Sequence, residues 1–195
     1  MEIKQAIEFS DNIRDKISDL YVEAFFDIAL KHFSNDKDKL KKAFAPMFLL
    51  EYFYVAVIDN EIIGMTACMD KGNFCLNIDK KIFVKHLGVF KGLFAYFANK
   101  NYIKKFAATI EIDKETAIIE YVATDTKYRG KGVASTIMKY IFTSTEFKHY
   151  VLEVADTNVN AFELYKKLGY KELYRKKFMP GSGINFFIYM KYSKE

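Results

Sequence analysis

The chain has 195 residues, 51% hydrophobic and 28% charged, so it can bury a core, which excludes global disorder. Its net charge of +5 suits an anionic ligand and is too small to indicate a nucleic-acid partner. Two cysteines, Cys68 and Cys75, match neither a disulfide-stapled secreted scaffold nor a metal site. The charged N-terminus and the lack of an apolar run of roughly 18 residues predict a cytoplasmic protein that does not enter a membrane.

The first third of the chain predicts a strand over 2–9, followed by two helices and a hairpin. The first helix, over 13–33, carries apolar residues at helical spacing, with Ser10 and Asp11 as expected caps. A second, more basic helix covers 36–48. Two β-rich runs within 52–69 then flank Asp59 and Asn60, which predict a tight turn.

From 70 to 110 the pattern is less regular and rich in aromatic residues, which predicts a helical insertion or a lid. The remaining elements alternate strand, helix, strand, helix, and end in two strands: 116–124, 132–145, 149–155, 158–170, 171–178 and 183–192. This order predicts an α/β (α+β) fold, a mixed sheet with helices on its faces, in one domain over 1–195.

The stretch "TDTKYRGKGVAS" indicates a loop that approaches an anion. Gly130 and Gly132 lack a Cβ, and the helix that follows presents unpaired amides and a positive dipole end. A phosphate can be held there by backbone donors, and Lys127, Arg129 and Lys131 add positive charge.

Two other phosphate-binding motifs fit this loop poorly. In the dinucleotide fingerprint the first glycine follows the strand almost directly, whereas "TDTKYR" intervenes here, and the third glycine is replaced by Ser135. No G-K-[ST] follows at the spacing of a P-loop. The three histidines stand alone, so no metal site is expected.

Two segments in this order resemble the GNAT superfamily of N-acetyltransferases. "VATDTKYRGKGVAS" is similar to the family's acyl-CoA-binding motif, in which a strand ending in valine precedes [Q/R]-x-x-G-x-[G/A], and Val122 and Gly130 have that separation. "LEVADTNVNAFELYKKLGY" resembles its second signature, with Asn158 and Tyr165 in place. Lys127 departs from the usual Gln or Arg. The resemblance covers about 116–170 and implies a GNAT-like mixed, mostly antiparallel central sheet of about seven strands with helices on both faces.

The resemblance implies acetyl-CoA as the cosubstrate and no metal. The backbone amides of 129–134 would hold the pyrophosphate, while the backbone of Val122 and Thr124, with Asn158, would contact the pantetheine arm. The implied cofactor-binding residues are Val122, Ala123, Thr124, Lys127, Arg129, Gly130, Lys131, Gly132, Val133, Ala134 and Asn158.

Acetyl transfer to an amine needs a base, a donor to the oxyanion and an acid for the leaving thiolate. The resemblance implies Tyr165 as the acid and an amide of Val122 or Ala123 as the oxyanion donor. Glu120 and Glu153, each among apolar residues on a predicted strand, are both candidate bases, with a water chain or no protein base as the alternatives. Strand alternation predicts that Glu120 faces the same side as Val122.

The expected function is therefore N-acetylation of a primary amine by direct transfer in a ternary complex. The aromatic insertion favours a small-molecule acceptor in a closed pocket. No nucleic acid or membrane is expected as a partner. The expected assembly is a monomer or a homodimer. Two alternatives stay open: a non-catalytic acyl-CoA-binding regulatory module, and an N-acetyltransferase of peptides or proteins.

Overall fold

The computed structural model describes residues 1–9, 12–70, 72–109, 113–178 and 183–194, with the side chains of 104–109 outside the description. Its strands are β1 (Glu2–Gln5), β2 (Phe53–Ile58), β3 (Glu61–Met69), β4 (Thr116–Thr124), β5 (His149–Ala155), β6 (Lys171–Lys177) and β7 (Phe186–Ser193). Its helices are α1 (Ile13–Phe25), α2 (Lys37–Phe44), α3 (Lys80–Leu87), α4 (Val89–Thr109), α5 (Val133–Ser144) and α6 (Val159–Lys167).

The strands form one open sheet in the order β1-β2-β3-β4-β5-β7-β6, in which β4 and β5 are parallel and every other pair is antiparallel. One face of the sheet packs against α1–α4 and the other against α5 and α6, with a hydrophobic core in each layer. This arrangement confirms the predicted mixed, mostly antiparallel sheet of seven strands with helices on both faces.

The β2–β3 hairpin turns at the two predicted residues. Asp59 and Asn60 have φ angles of 49° and 64°. Two consecutive positive φ angles are those of a type I′ turn, whose twist matches the strands it joins and which favours Asn and Asp. The prediction of this hairpin is confirmed.

The first strand and the first helix are both shorter than predicted. The strand ends at Gln5, where a short 3-10 turn places Ala6 in the core. The helix predicted over 13–33 ends at Phe25, because the chain then turns to bury Leu30 and Phe33 while leaving Ile28 56% exposed. Core burial thus overrides the helical pattern. The predicted caps, Ser10 and Asp11, lie outside the described residues.

The stretch 70–110, predicted to be a helical insertion, holds α3 and α4. Gly92 lets these two helices touch, since a Cβ at this position would lie 2.6 Å from the Cα of Val84 and 2.7 Å from the carbonyl of Phe83. That this stretch is an insertion into a single domain stays a prediction. In the described parts of the chain, no helix is long and apolar enough to cross a bilayer.

Replacing Gly92 with alanine should destabilise the protein, although alanine is normally the better helix former. The added methyl group meets backbone atoms that cannot rotate away, so α4 must move from α3, and such overpacking costs about 1–3 kcal/mol. Urea denaturation measures the change, with Lys91→Ala on the exposed side of the same helix as control. Equal or greater stability of Gly92→Ala would show that the contact is not tight.

Candidate active site

The two parallel strands separate in the middle of the sheet. They pair over three positions, from Thr116 opposite His149 to Ile118 opposite Val151, and no register pair follows. Beyond Ile118, β4 still pairs with β3 through Thr124, so its other edge faces an opening with unpaired backbone groups. An extended ligand can bind along this edge as an added strand does.

The glycine loop lies at the end of this opening, between β4 and α5. Gly130 and Gly132 have φ angles of 74° and 80°, a left-handed conformation that other residues adopt only with strain. The amides of Arg129 and Lys131 donate to Thr126 and Tyr128 within the loop. Those of Gly130, Gly132, Val133 and Ala134 donate to no described residue. The set of amides free for an anion is therefore smaller than the sequence predicts.

The approach of α5 to the sheet depends on Gly64 of β3. A Cβ at this position would lie 2.5 Å from Cγ1 of Val133, the first residue of the helix. A side chain there would push the start of α5, and the amides it presents, away from the strand. Sequence reasoning missed Gly64 because the contact joins residues far apart in the chain.

A cleft of about 670 Å³ connects the opening to the glycine loop. The predicted residues that line it are Val122, Thr124, Arg129, Gly130, Gly132, Val133, Ala134, Asn158 and Tyr165. The other three do not line it. Ala123 is buried in the core under α1–α4, the Lys127 amide donates to Asp125, and Nζ of Lys131 lies over the Tyr128 ring.

Helix α6 forms the far wall of the cleft. Its N-cap is Asn158, whose Oδ1 accepts from the Ala161 amide and leaves Nδ2 to donate elsewhere. Three further residues of this wall, Asn160, Leu164 and Lys167, recur at helical spacing on the same face. They lie on a different side of α6 from Asn158 and Tyr165, which are two turns apart, so the motif residues alone did not identify them.

Tyr165 lies within this wall, 6% exposed, with its ring 5.8 Å from that of Tyr170. Burial raises the pKa of the Tyr165 phenol, so its hydroxyl keeps its proton throughout the neutral range. A protonated hydroxyl therefore lies at the edge of the cleft, and the general-acid role of Tyr165 stays a prediction.

A bulge in β4 decides which way its side chains point. Met65 lies opposite Ala123 and Ala67 opposite Glu120, so two residues of β4 face one of β3, and Tyr121 has a φ of 52°. As a result Val122 packs toward α5 and α6, while Tyr121 packs with α1. The prediction that Glu120 and Val122 share a face is wrong, because the extra residue interrupts the alternation.

Glu120 and Glu153 meet across the opening, on the face covered by α1–α4. The hydroxyl of Tyr102, from α4, lies 3.1 Å from Oε1 of Glu120 and 2.9 Å from Oε1 of Glu153. The two predicted candidate bases are thus joined by a third residue that sequence reasoning missed. Its only signal was a tyrosine on an irregular, aromatic-rich helix.

Both carboxyls are weaker acids than a free glutamate. Burial, followed by the charge of Glu153, raises the pKa of Glu120 to about 8. Burial also raises the pKa of Glu153, but hydrogen bonds from Tyr189 and Tyr102 oppose the shift. At neutral pH Glu120 therefore holds a proton, and it can act as a general base only after it has lost that proton.

Comparison with known proteins identifies the family of the chain. The model of the acetyltransferase (GNAT) family matches residues 14–170. The chain belongs to the GNAT acetyltransferase family. A search of curated proteins finds no significant match.

Solved structures agree on the GNAT fold. An N-acetyltransferase from Staphylococcus aureus Mu50 superposes with a TM-score of 0.65 at 18% identity, over 98% of this chain and 100% of that one. The ribosomal-protein-S18-alanine N-acetyltransferase of Escherichia coli gives a TM-score of 0.56 at 12% identity, over 98% and 92%. A GNAT-family acetyltransferase from Streptococcus agalactiae 2603 gives 0.58 at 15%, over 100% and 95%.

Acetyl-CoA is the acyl donor expected of a GNAT protein, and the free amides of the glycine loop fit its pyrophosphate. In the described part of this GNAT chain no three His, Cys, Asp or Glu side chains group as a metal site would. Both cysteines are buried free thiols.

In this GNAT protein, replacing Glu120 with glutamine should raise stability above pH 8. The pKa of Glu120 is 4.5 unperturbed and about 8 when folded, so the folded state binds more protons between these values. Wild-type stability therefore falls as pH rises through this window, whereas glutamine has no proton to lose. Tm measured against pH for wild type, Glu120→Gln and the exposed control Glu61→Gln tests this, and parallel curves for all three would refute it.

Proposed function

We propose that the protein transfers the acetyl group of acetyl-CoA to a primary amine, by direct transfer in a ternary complex. The observation that carries this proposal is the opening between β4 and β5. It has free amides at one end, a buried tyrosine on one face and a pair of carboxyls on the other. A donor and an acceptor can therefore reach the same point from opposite faces of the sheet.

The donor would bind along the cleft. Its pyrophosphate would accept hydrogen bonds from the amides of Gly130, Gly132, Val133 and Ala134 at the start of α5. Arg129 and Lys167, both at the rim, would add opposite charge. The pantetheine arm would pair with the free edge of β4, which leads the thioester toward Tyr165.

The acceptor would arrive as an ammonium, whose charge favours the ionised form of Glu120, and give one proton to that carboxylate. Its nitrogen then forms a bond to the thioester carbon, and an amide of Val122 or Ala123 stabilises the oxyanion. As the C–S bond breaks, the sulfur takes the proton of Tyr165. The nitrogen loses its second proton to solvent, and Tyr165 regains one from solvent.

A compact acceptor fits this face best. Tyr102 of α4 lies over both glutamates, and Tyr21 and Phe25 of α1 pack around Tyr121 beside them. An extended peptide would require an open groove at the position of these helices. We therefore infer a small-molecule amine as the acceptor.

Thermal unfolding with acetyl-CoA, CoA and NAD(P) in parallel tests the donor. A ligand that binds the native state alone stabilises it by about 2.7 kcal/mol at a hundred times its Kd. We expect acetyl-CoA and CoA to raise Tm and NAD(P) to leave it unchanged. Mass spectrometry of reactions with a panel of primary amines then tests transfer. Binding of CoA without transfer to small amines or peptides would favour a regulatory module.

A further inference from the structure

A row of phenylalanine rings on α4 is left exposed to solvent. Phe90, Phe94 and Phe97, which we call the Phe stripe, are 90%, 56% and 57% exposed. They recur at i, i+4 and i+7, so they lie on one side of the helix. We propose that the Phe stripe and the lysines around it bind the surface of an anionic lipid bilayer, with α4 lying in the plane of the headgroups. This binding goes beyond acetyl transfer and does not depend on it.

The Phe stripe is separate from the candidate active site. Ala95, which is fully buried, and Tyr102, which contacts the two glutamates, lie two turns apart on another side of α4. The stripe is about a third of a turn around the helix from that side. None of its three rings lines the cleft for the donor. A bilayer could therefore cover the stripe and leave the cleft open.

The exposed apolar area of the Phe stripe is large for the surface of a monomer. If each phenylalanine presents about 200 Å², the three rings together expose on the order of 400 Å². The largest apolar patch of a typical monomer is about 300–600 Å² and often marks an interaction site. Because α4 also buries Ala95 on its packed side, it is apolar on both sides, which is typical of a helix that is covered on both.

The charge around the Phe stripe indicates an anionic partner. From 80 to 110 the sequence has seven lysines and no Asp or Glu, so this stretch carries more positive charge than the net +5 of the whole chain. Five of these lysines have described side chains, all exposed: Lys80, Lys81, Lys85, Lys91 and Lys100. None of the five forms an ion pair with a described residue. Their charge is therefore available to lipid headgroups.

Two of the lysines are placed as an interfacial helix requires. By helical spacing Lys91 and Lys100 lie on opposite flanks of the Phe stripe. A lysine at such a flank can extend its ammonium group to the headgroups while its alkyl chain stays beside the apolar surface. The ammonium of Lys100 lies 5.4 Å from the centre of the Tyr96 ring, and tyrosine is itself enriched at the membrane surface. Rings at the centre and lysines at the flanks are typical of a helix that lies on a bilayer.

A fluid bilayer fits this surface better than a second copy of the chain does. In a dimer paired through the Phe stripe, two sets of unpaired lysines would face each other, and like charges at an interface oppose association. The projecting ring of Phe90 would also require a matching groove in a protein partner, whereas acyl chains can close around it. A helix of this kind lies on the bilayer without spanning it, so the lack of a long apolar run does not bear on the proposal.

A tryptophan reporter tests where the bilayer binds, because the natural chain has no tryptophan. The probe is vesicles of phosphatidylcholine and phosphatidylserine in equal amounts, with vesicles of phosphatidylcholine alone for comparison. The fluorescence of Phe97→Trp should shift to shorter wavelength with the mixed vesicles and be quenched by brominated lipid. Tyr140→Trp, a partly exposed position on α5, should show neither effect. An unchanged spectrum of Phe97→Trp would overturn the proposal.

Co-sedimentation of the full chain with the same vesicles tests the contribution of the rings. Phe90→Ala should weaken binding about tenfold, which is the effect of removing one phenylalanine from an apolar environment. It should leave Tm unchanged, since the ring is 90% exposed. Ile7→Ala, which also removes an exposed apolar side chain but lies outside α3 and α4, should bind as the wild type does. Equal binding of all three proteins would mean that charge alone attracts the vesicles, and the stripe would not be the site.

The contribution of the lysines is tested by reversing one charge. Lys91→Glu should weaken binding to the mixed vesicles severalfold, because its charge lies beside the headgroups. Lys139→Glu on α5 changes the net charge by the same amount and should have a smaller effect. Equal effects of the two variants would contradict a defined orientation of the protein on the bilayer.

Light scattering without lipid tests the second copy as the occupant. We expect the same molar mass for the wild type and for Phe90→Ala. A wild-type dimer that Phe90→Ala converts to a monomer, with no binding to either kind of vesicle, would show that the Phe stripe is a subunit interface and would overturn the proposal.

Discussion

Tyr165→Phe should lower kcat by about 100-fold or more while the affinity for acetyl-CoA stays nearly unchanged. The change removes one hydroxyl from a buried ring and leaves the wall of the cleft in place. Without that proton the sulfur leaves as a free thiolate. Steady-state kinetics with a saturating donor and isothermal titration with acetyl-CoA separate the two effects.

Tyr170→Phe is the matched control, one ring away in the same core. The Tyr170 hydroxyl is buried and has no hydrogen-bond partner among the described residues, so its loss should leave activity intact and stability unchanged or higher. If Tyr165→Phe retains full kcat, or if both variants lose activity alike, Tyr165 is not the acid.

Gly132→Val should weaken acetyl-CoA binding by about tenfold or more, since a hydrogen bond to a charged group contributes about 1.5–3 kcal/mol. Gly132 is the N-cap of α5 in a left-handed conformation, which valine adopts only with strain. To relieve that strain the loop must rotate its amides away from the anion. Isothermal titration with acetyl-CoA and with CoA measures the loss.

Gly72→Val controls for strain alone. Gly72 also has a positive φ, 85°, with no atom within 4 Å of an added Cβ, and it does not line the cleft. This variant should lose stability comparably but bind acetyl-CoA as the wild type does. Equal losses of affinity in both variants would mean that the glycine loop has no special part in binding.

The sequence was most informative where structure depends on neighbours in the chain. The turn at Asp59 and Asn60, the glycine loop and the strands and helices after 116 all follow from local pattern, and the structure has them. The early end of the first helix could not be read this way, because burial of Leu30 is a tertiary effect.

The same distinction between local sequence and tertiary contacts applies to the candidate site. The loop before α5 and the motif residues Asn158 and Tyr165 of α6 were predictable, since each motif is one continuous segment. Three other features could not be predicted, because each depends on how separate strands and helices align. They are the bulge at Tyr121, the close approach of Gly64 to α5 and the contacts of Tyr102 with two glutamates. Knowledge of the β4–β5 register alone would have paired Glu120 with Glu153.

The brief pairing of β4 with β5 also divides the hydrogen bonding of the sheet into two halves, although both hydrophobic cores extend across the boundary. Three register pairs connect the halves, against seven between β5 and β7. Glu120 belongs to one half and Tyr165 to the other, so the distance between proposed base and acid depends on how firmly the halves are held. A donor bound along this boundary would supply backbone hydrogen bonds that β4 and β5 do not make to each other beyond Ile118. Binding of the donor would then both strengthen the contact between the two halves of the sheet and fix the positions of the proposed base and acid.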